Sequence, residues 1–312
     1  MCKYNELFHG HNHLLYEEDG GIIPMRFSVT EFQYYSAIGE VETVRAYIPA
    51  GIRFSFYTES DNVNMRFRLF NFIRPQASFS LMENDEMMEE IIVTDQMERV
   101  DICYRKKNKG QVKIDLYLPH MVAVSLMKFD VNDAISVPKK EKTLLSFGDS
   151  ITQGAGCEIC ARSYTNQLSI ELGMELYNKG VGGYIFDADS IERTVEPDII
   201  TIAYGTNDFS RWHDLEKTIS DARKYCAKIK ELFPDVPVYM MTPLWRADLL
   251  DEEKTLFHQF TKALLTVAEE FQFPSVAGEE SIPHEEVLFD DKVHPLAAGC
   301  DFVAKALLKI MK

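Results

Sequence analysis

The hydrophobic pattern of this chain changes period near residue 138, and one layer architecture cannot serve both parts. Up to about residue 130 apolar residues recur at every second position, as in Val44-Arg45-Ala46-Tyr47-Ile48, Arg53-Phe54-Ser55-Phe56-Tyr57, Met65-Arg66-Phe67-Arg68-Leu69-Phe70 and Val112-Lys113-Ile114-Asp115-Leu116-Tyr117-Leu118. Period-two runs rich in aromatic and β-branched residues are half-buried strands. Turn residues separate them at Asp19-Gly20-Gly21, Pro49-Ala50-Gly51, Ser60-Asp61-Asn62 and Asn108-Lys109-Gly110. Many short strands punctuated in this way predict a β-sandwich of jelly-roll type over residues 1–138. The acidic run from Met82 to Glu90 reads as a solvated loop or short helix.

A polar stretch through Asn132-Asp133 and Val137-Pro138-Lys139-Lys140 forms the junction, and residues 139–312 follow another rule. Compact apolar strands at Thr143–Phe147, Glu175–Tyr177, Asp198–Tyr204 and Pro237–Met241 alternate with helical patterns at Tyr164–Leu172, Asp214–Phe233, Glu252–Phe271 and Leu296–Met311. The continuous apolar runs are what strands covered on both faces require. Strand–helix alternation predicts an α/β domain with a parallel, doubly wound sheet and helices on both sides. In such a sheet the ligand crevice opens beyond the carboxyl ends of the strands, here after Phe147, Tyr177, Tyr204 and Met241.

Charge narrows the partners. Residues 1–142 hold 21 acids against 17 bases and the remainder 28 against 16, for a net charge of −16. Neither part offers the basic face that phosphate neutralisation demands, so neither nucleic acid nor an anionic membrane is expected as a partner. No apolar run approaches the ~20 residues that span a bilayer. The opening ten residues lack the apolar core of a signal peptide, which points to a cytoplasmic protein. Six cysteines in 312 residues are too sparse for a disulfide framework.

Four segments fall at the expected strand ends or near the C-terminus. Gly148-Asp149-Ser150-Ile151 places a serine on a sharp strand-to-helix turn. Asn178-Lys179-Gly180-Val181-Gly182-Gly183 supplies glycines that let backbone N–H groups approach a ligand. Gly205-Thr206-Asn207-Asp208 places a side-chain amide in the same crevice, or else an Asx-turn entering the next helix. In Asp291-Lys292-Val293-His294 the spacing puts a carboxylate beside an imidazole, which can hold Nδ1–H and leave Nε2 free to take a serine proton. Asp290 is the alternative partner under a different winding of that turn.

In order and placement these segments resemble the four sequence blocks of the SGNH hydrolases, the GDSL esterase family. The resemblance rests on Gly148-Asp149-Ser150, Gly183, Gly205-Thr206-Asn207-Asp208 and Asp291-Lys292-Val293-His294, and covers about residues 143–312. It implies a flavodoxin-like three-layer hydrolase domain and a serine esterase, with Ser150 as nucleophile, His294 as general base and then acid, and Asp291 as the orienting carboxylate. It further implies an oxyanion hole made by the N–H groups of Ser150 and Gly183 and the amide of Asn207, with no metal or organic cofactor. Gly182 stands where many relatives carry serine, and Ile151 where the family name has leucine; neither touches an implied role. The first domain resembles the β-sandwich that precedes the hydrolase domain in two-domain members, including carbohydrate esterases. Lys113-Ile114-Asp115-Leu116-Tyr117 matches their Gly-x-Asp-Leu-Tyr signature except at Lys113. The substrate so implied is a short-chain, acetyl-type ester of a small molecule or oligosaccharide. An acyltransferase using the same acyl-enzyme and an inactive carbohydrate-binding protein are the alternatives.

Trp245 and Arg246, after the fourth strand, and Trp212, after the Asn207 block, are the expected substrate-binding residues, because an indole is a platform for a sugar ring or acyl chain. His284 is a rival base without an acid three residues before it and reads as a surface-loop residue. His9, His11 and His13 alternate as metal ligands would on a strand, yet without cysteine or acidic partners at zinc spacing they read as polar surface. Cys157-x-x-Cys160 lacks the thioredoxin-like context of a redox pair and reads as structural. No sequence feature sets an oligomeric state.

Overall fold

A computed structural model describes residues 4–311; the opening Met-Cys-Lys, with its cysteine, and the final Lys312 lie outside the described residues. By internal contacts the chain divides into two compact units. One runs to Glu141 and also takes in Glu158–Ala161 and Glu175–Tyr177; the other holds Lys142–Cys157, Arg162–Met174 and Asn178 onward.

The first unit is an antiparallel sandwich. After a single helical turn, α1 (Tyr4–Leu7), come β1 (Phe8–His9), β2 (His13–Tyr16) and β3 (Ile22–Met25), then the helices α2 (Val29–Ile38) and α3 (Glu40–Tyr47). The remaining strands are β4 (Arg53–Thr58), β5 (Asn62–Phe70), β6 (Gln76–Glu83), β7 (Glu86–Thr94), β8 (Arg99–Arg105), β9 (Val112–Tyr117), β10 (Ala123–Asp130) and β11 (Ile135–Ser136). One sheet has the order β1-β4-β9-β6-β7 with β11 beside β4, the other β2-β3-β10-β5-β8. Strand β8 alternates exposed and buried at every residue, and the inward side chains, among them Phe54, Phe56, Phe67, Phe79 and Leu116, form one apolar core.

Two expectations for this unit are corrected. Val44–Ile48 is no strand: its residues up to Tyr47 close helix α3, whose first turn carries Glu40 and Glu42. Acids at a helix start complement the exposed N–H groups there, and Ala46 is the buried residue of the helix. The acidic run is neither loop nor helix but the tip of the β6–β7 hairpin, turned at Asn84 and Asp85 with φ of 52° and 68°. Two successive left-handed residues are what a tight hairpin turn requires. Glu83 is buried there and accepts from Tyr104 Oη (2.6 Å), the amides of Lys107 (2.9 Å) and Asn108 (2.8 Å), and Asn108 Nδ2 (2.7 Å).

The second unit carries the parallel sheet. The elements that follow residue 142 are β12 (Thr143–Gly148), α4 (Ser150–Gln153), α5 (Tyr164–Leu172), β13 (Glu175–Gly180), β14 (Ile199–Ala203), α6 (Thr206–Trp212), α7 (Leu215–Leu232), β15 (Val238–Met241), α8 (Asp251–Glu270), β16 (Ser275–Val276), α9 (Gly278–Ser281) and α10 (Ala297–Met311). Strand order is β13-β12-β14-β15-β16, with helices on both sides, and Gly148 and Ala203 end neighbouring strands in register. This is the doubly wound domain that the strand–helix alternation predicts, and every connection that leaves a carboxyl end opens on the same edge of the sheet. No described helix is long and apolar enough to cross a membrane.

Candidate active site

Ser150 is the first residue of α4. Asp149 caps that helix by accepting from the Ile151 amide (2.9 Å), as an aspartate at this position does, and so fixes the chain reversal that leaves Ser150 at the end of β12. Asp149 itself is buried. Burial pushes its carboxyl up to about 7, helped by the charge of Asp208, which burial holds at about 6 against the stabilising amide of Phe186 (3.2 Å).

The imidazole reaches Ser150 from a loop closed on itself. Phe289 pairs with Pro295, the Asp290 amide donates to His294 O (2.9 Å), and Lys292 takes the left-handed conformation (φ 70°). Within this loop Asp291 Oδ1 accepts from the amides of His294 (3.0 Å) and Val293 (3.3 Å). Its two oxygens stand 2.9 and 2.8 Å from His294 Nδ1, and His294 Nε2 stands 2.7 Å from Ser150 Oγ. Of the two acids considered, Asp291 is therefore the one on the ring. A carboxylate can only accept, so it fixes the proton on Nδ1 and turns the Nε2 lone pair toward the serine hydroxyl.

Gly183 lies in a turn leaving β13. The Tyr184 amide closes the turn on Val181 O (3.1 Å), Gly183 has φ 69° and Gly182 is not left-handed, which together define a type II turn with its obligatory glycine third. The Val181 amide donates to Gly148 O (2.9 Å), setting the turn beside the end of β12. Asn207 is in the first turn of α6 and is no Asx cap: its Nδ2 donates to Tyr184 O (2.9 Å), which uses one amide hydrogen and leaves the second. The sequence reading missed two further contacts on this turn. Gln153 Oε1 accepts from the Gly182 amide (2.7 Å), and Arg211 Nη2 donates to Gly183 O (2.6 Å). The spacing of Arg211 from Asn207, one helical turn, was the available signal.

The remaining expected residues divide. Trp245 is half-buried, stacked on His284 (centroids 5.1 Å, planes within 9°) and tilted against Phe289 (5.5 Å), and the Ala247 amide ties its loop to Lys292 O (2.9 Å). It thus walls the His294 loop. His284 is exposed, as expected, but its Nε2 donates to Glu279 O (2.8 Å). Arg246 is held by both oxygens of Asp248 (2.9 and 2.7 Å) and by Ser210 Oγ (2.7 Å), a brace between its own loop and helix α6. Trp212 is exposed at the end of α6 with the Lys217 ammonium 4.8 Å over its ring, so that face is already covered.

Outside this edge, one expectation changes. His9 and His11 are buried, not surface residues; His9 Nδ1 lies 3.3 Å from Glu175, which Arg53 Nη2 also reaches (3.2 Å). Among the described residues no group of His, Cys, Asp or Glu is placed to hold a metal ion. Cys157 and Cys160 are buried, as a structural pair would be, and burial pushes the Cys160 thiol up to about 12, where it is inert.

The sequence profile of the GDSL-like lipase/acylhydrolase family matches residues 146–302. Curated proteins gave no significant match. Solved structures with the same fold include the salicylyl-acyltransferase SsfX3 from a tetracycline biosynthetic pathway (16% identity, 97% of this chain and 93% of that one, TM-score 0.76). Others are a family two carbohydrate esterase from Cellvibrio japonicus (11%, 100% and 96%, TM-score 0.67) and one from Clostridium thermocellum in complex with cellohexaose (14%, 83% and 90%, TM-score 0.61). At these identities the likeness is one of fold.

Proposed function

The chain belongs to the GDSL-like lipase/acylhydrolase family, and we propose that within it this protein is a serine esterase that removes short acyl groups, acetyl foremost, from a hydroxylated small molecule or oligosaccharide. The observation that carries the proposal is the line Asp291–His294–Ser150, with 2.8 Å from carboxylate to Nδ1 and 2.7 Å from Nε2 to Oγ. A serine hydroxyl is a weak nucleophile at neutral pH and needs a base within hydrogen-bond reach.

In the proposed reaction Ser150 Oγ attacks the ester carbonyl carbon while His294 Nε2 takes the hydroxyl proton. Asp291 stabilises the imidazolium so formed. The carbonyl oxygen becomes an oxyanion, received by the N–H groups of Ser150 and Gly183 and by the free hydrogen of Asn207 Nδ2. Collapse breaks the bond to the alcohol oxygen, to which His294 returns the proton. Water, activated by the same imidazole, then attacks the acyl-Ser150 carbonyl and releases the acid. No metal or organic cofactor enters these steps. Trp245, on its stacked support, offers an aromatic wall to the acyl group or sugar. Arg246 and Trp212 are committed elsewhere and act on substrate only indirectly.

The carbohydrate part of the proposal draws on the two-domain organisation and on the family two carbohydrate esterases of like fold, the acetyl part on the family resemblance. SsfX3 shares that organisation in fold and is named an acyltransferase, so the acceptor has to be tested. Purified protein is expected to hydrolyse 4-nitrophenyl acetate and acetylated oligosaccharides, and Ser150→Ala to abolish both while leaving the thermal midpoint unchanged. Ester exchange outrunning hydrolysis when acceptor alcohols are added would convert the assignment to transferase. Glycan binding without any ester cleavage would refute it.

A further inference from the structure

The turn that presents Gly183 leaves β13, an edge strand of the parallel sheet, so the sheet supports it on one side only. It also contains two adjacent glycines, Gly182 and Gly183, the residues that restrain a backbone least. A donor aimed at an oxyanion must nevertheless stand still, because preorganisation is what makes it effective. Three side chains supply the missing restraint, each bonding a different main-chain group of the turn. Gln153 holds the Gly182 amide at 2.7 Å, Arg211 the Gly183 carbonyl at 2.6 Å and Asn207 the Tyr184 carbonyl at 2.9 Å.

The origins of these side chains matter. Gln153 lies three residues beyond Ser150 on α4, so its bond fixes the turn relative to the serine. Arg211 lies four residues beyond Asn207 on α6, on the same face, so its bond fixes the turn relative to the Asn207 amide. The bond from Asn207 to Tyr184 O is also what aims that amide. A shift of the turn would therefore misplace both the Gly183 N–H and the second hydrogen of Asn207.

We propose that Arg211 and Gln153 are positioning residues for the oxyanion donors: they clamp the Val181–Tyr184 turn between the Ser150 helix and the Asn207 helix without themselves touching substrate. This rests on the esterase reading of the site given above. The clamp sets where the turn sits, whereas the left-handed glycine at 183 sets which way its amide points.

Arg211 is exposed, so its replacement leaves the core intact. With 4-nitrophenyl acetate, Arg211→Met is expected to lower kcat about tenfold, short of the roughly 10²- to 10³-fold loss of a whole donor. KM should stay within about twofold and the thermal midpoint unchanged. Arg211→Lys, which keeps a cationic donor of similar reach, should recover most of kcat. Gln153→Met is the second variant and should likewise lower kcat more than it raises KM. Because Arg211 acts through the same donors, Arg211→Met combined with Asn207→Ala should lose less than the product of the two single losses. A wild-type kcat in Arg211→Met, alongside an inactive Ser150→Ala, would overturn the clamp and leave the esterase reading standing. A raised KM at unchanged kcat would make Arg211 a substrate contact instead, and also overturns it. An active Ser150→Ala would remove the esterase reading itself.

Discussion

A close steric constraint on the position of His294 comes from a residue with no side chain. Gly156 has φ 85°, and a Cβ there would lie 2.6 Å from His294 Cβ, 2.8 Å from its carbonyl oxygen and 2.9 Å from its carbonyl carbon. Ordinary contact begins near 3.4 Å, so Gly156→Ala demands a separation of at least about 0.8 Å. The atoms struck are backbone and Cβ, which cannot swing aside. Retreat of His294 is opposed by the Phe289–Pro295 pairing and by the bond from the Asp290 amide to His294 O. A misplacement near 1 Å can lower a rate by about 10²-fold, equivalent to about 2.7 kcal/mol of barrier. The left-handed backbone adds about 1–2 kcal/mol of strain for any residue with a Cβ, and this second effect needs its own control. Gly173 supplies one: it has φ 63° at the end of α5 and nothing within 4 Å of an added Cβ. Initial rates on 4-nitrophenyl acetate and thermal melts would be compared for the two alanine variants. Gly173→Ala should lose melting temperature while keeping kcat within about twofold; Gly156→Ala should lose melting temperature and some 30- to 100-fold in kcat. A Gly156→Ala enzyme within threefold of wild type would refute the idea that this contact sets the place of His294.

Under the proposed mechanism Asp291→Ala, which removes the carboxylate beside His294 Nδ1, should lower kcat by about 10³-fold or more, as triad losses do in serine hydrolases; a tenfold effect or less in steady-state assays would argue that the loop alone orients His294. Asp149 gives a pH dependence of stability. Its folded-state pKa, raised to about 7 from 3.8, means that between those values the unfolded chain sheds a proton the folded chain keeps, so stability falls as pH rises from about 4 to 7. Asp149→Asn, which keeps the capping oxygen, should flatten that decline in melts taken from pH 5 to 8, and an unchanged slope would exclude Asp149 as its source. Glu175 acts in the opposite sense: burial disfavours its charge, but the His9 bond and the Arg53 charge bring it down to about 2 from 4.5, so its contribution is lost as pH falls through that range. Glu175→Gln removes the nearer of two buried carboxylates beside Arg53, leaving Asp115 at 3.7 Å, and should lower unfolding stability in urea by up to about 3 kcal/mol; an unchanged midpoint would show that Asp115 compensates.

How much of this was legible beforehand depended on how far apart in sequence the interacting atoms lie. The strand–helix alternation is a local signal, and the four helices anticipated after residue 142 lie within a residue or so of their observed ends, from Tyr164–Leu172 to Ala297–Met311. The Ser150 turn and the Asp291–His294 loop were legible for the same reason: each is built from a handful of consecutive residues whose types dictate the reversal. Val44–Ile48 failed because five residues with apolar positions at both spacings fit either period, and the deciding information, the acids at Glu40 and Glu42, lay just upstream. The β6–β7 hairpin failed differently. A buried Glu83 is tolerable only because four donors from residues 104–108 converge on it, and nothing near Glu83 in the chain announces them. Arg246 belongs to the same class. Its position after β15 suggested a substrate contact, yet Asp248 and Ser210, the latter 36 residues earlier, had already taken its guanidinium. The distinction also runs through the site itself. The groups proposed to react sit on short motifs because sharp turns are local, whereas the bonds of the proposed clamp, Gln153 to Gly182 and Arg211 to Gly183, span 29 and 28 residues. Sequence motifs therefore mark where chemistry can occur, whereas the contacts proposed to tune its rate come together only in the folded chain.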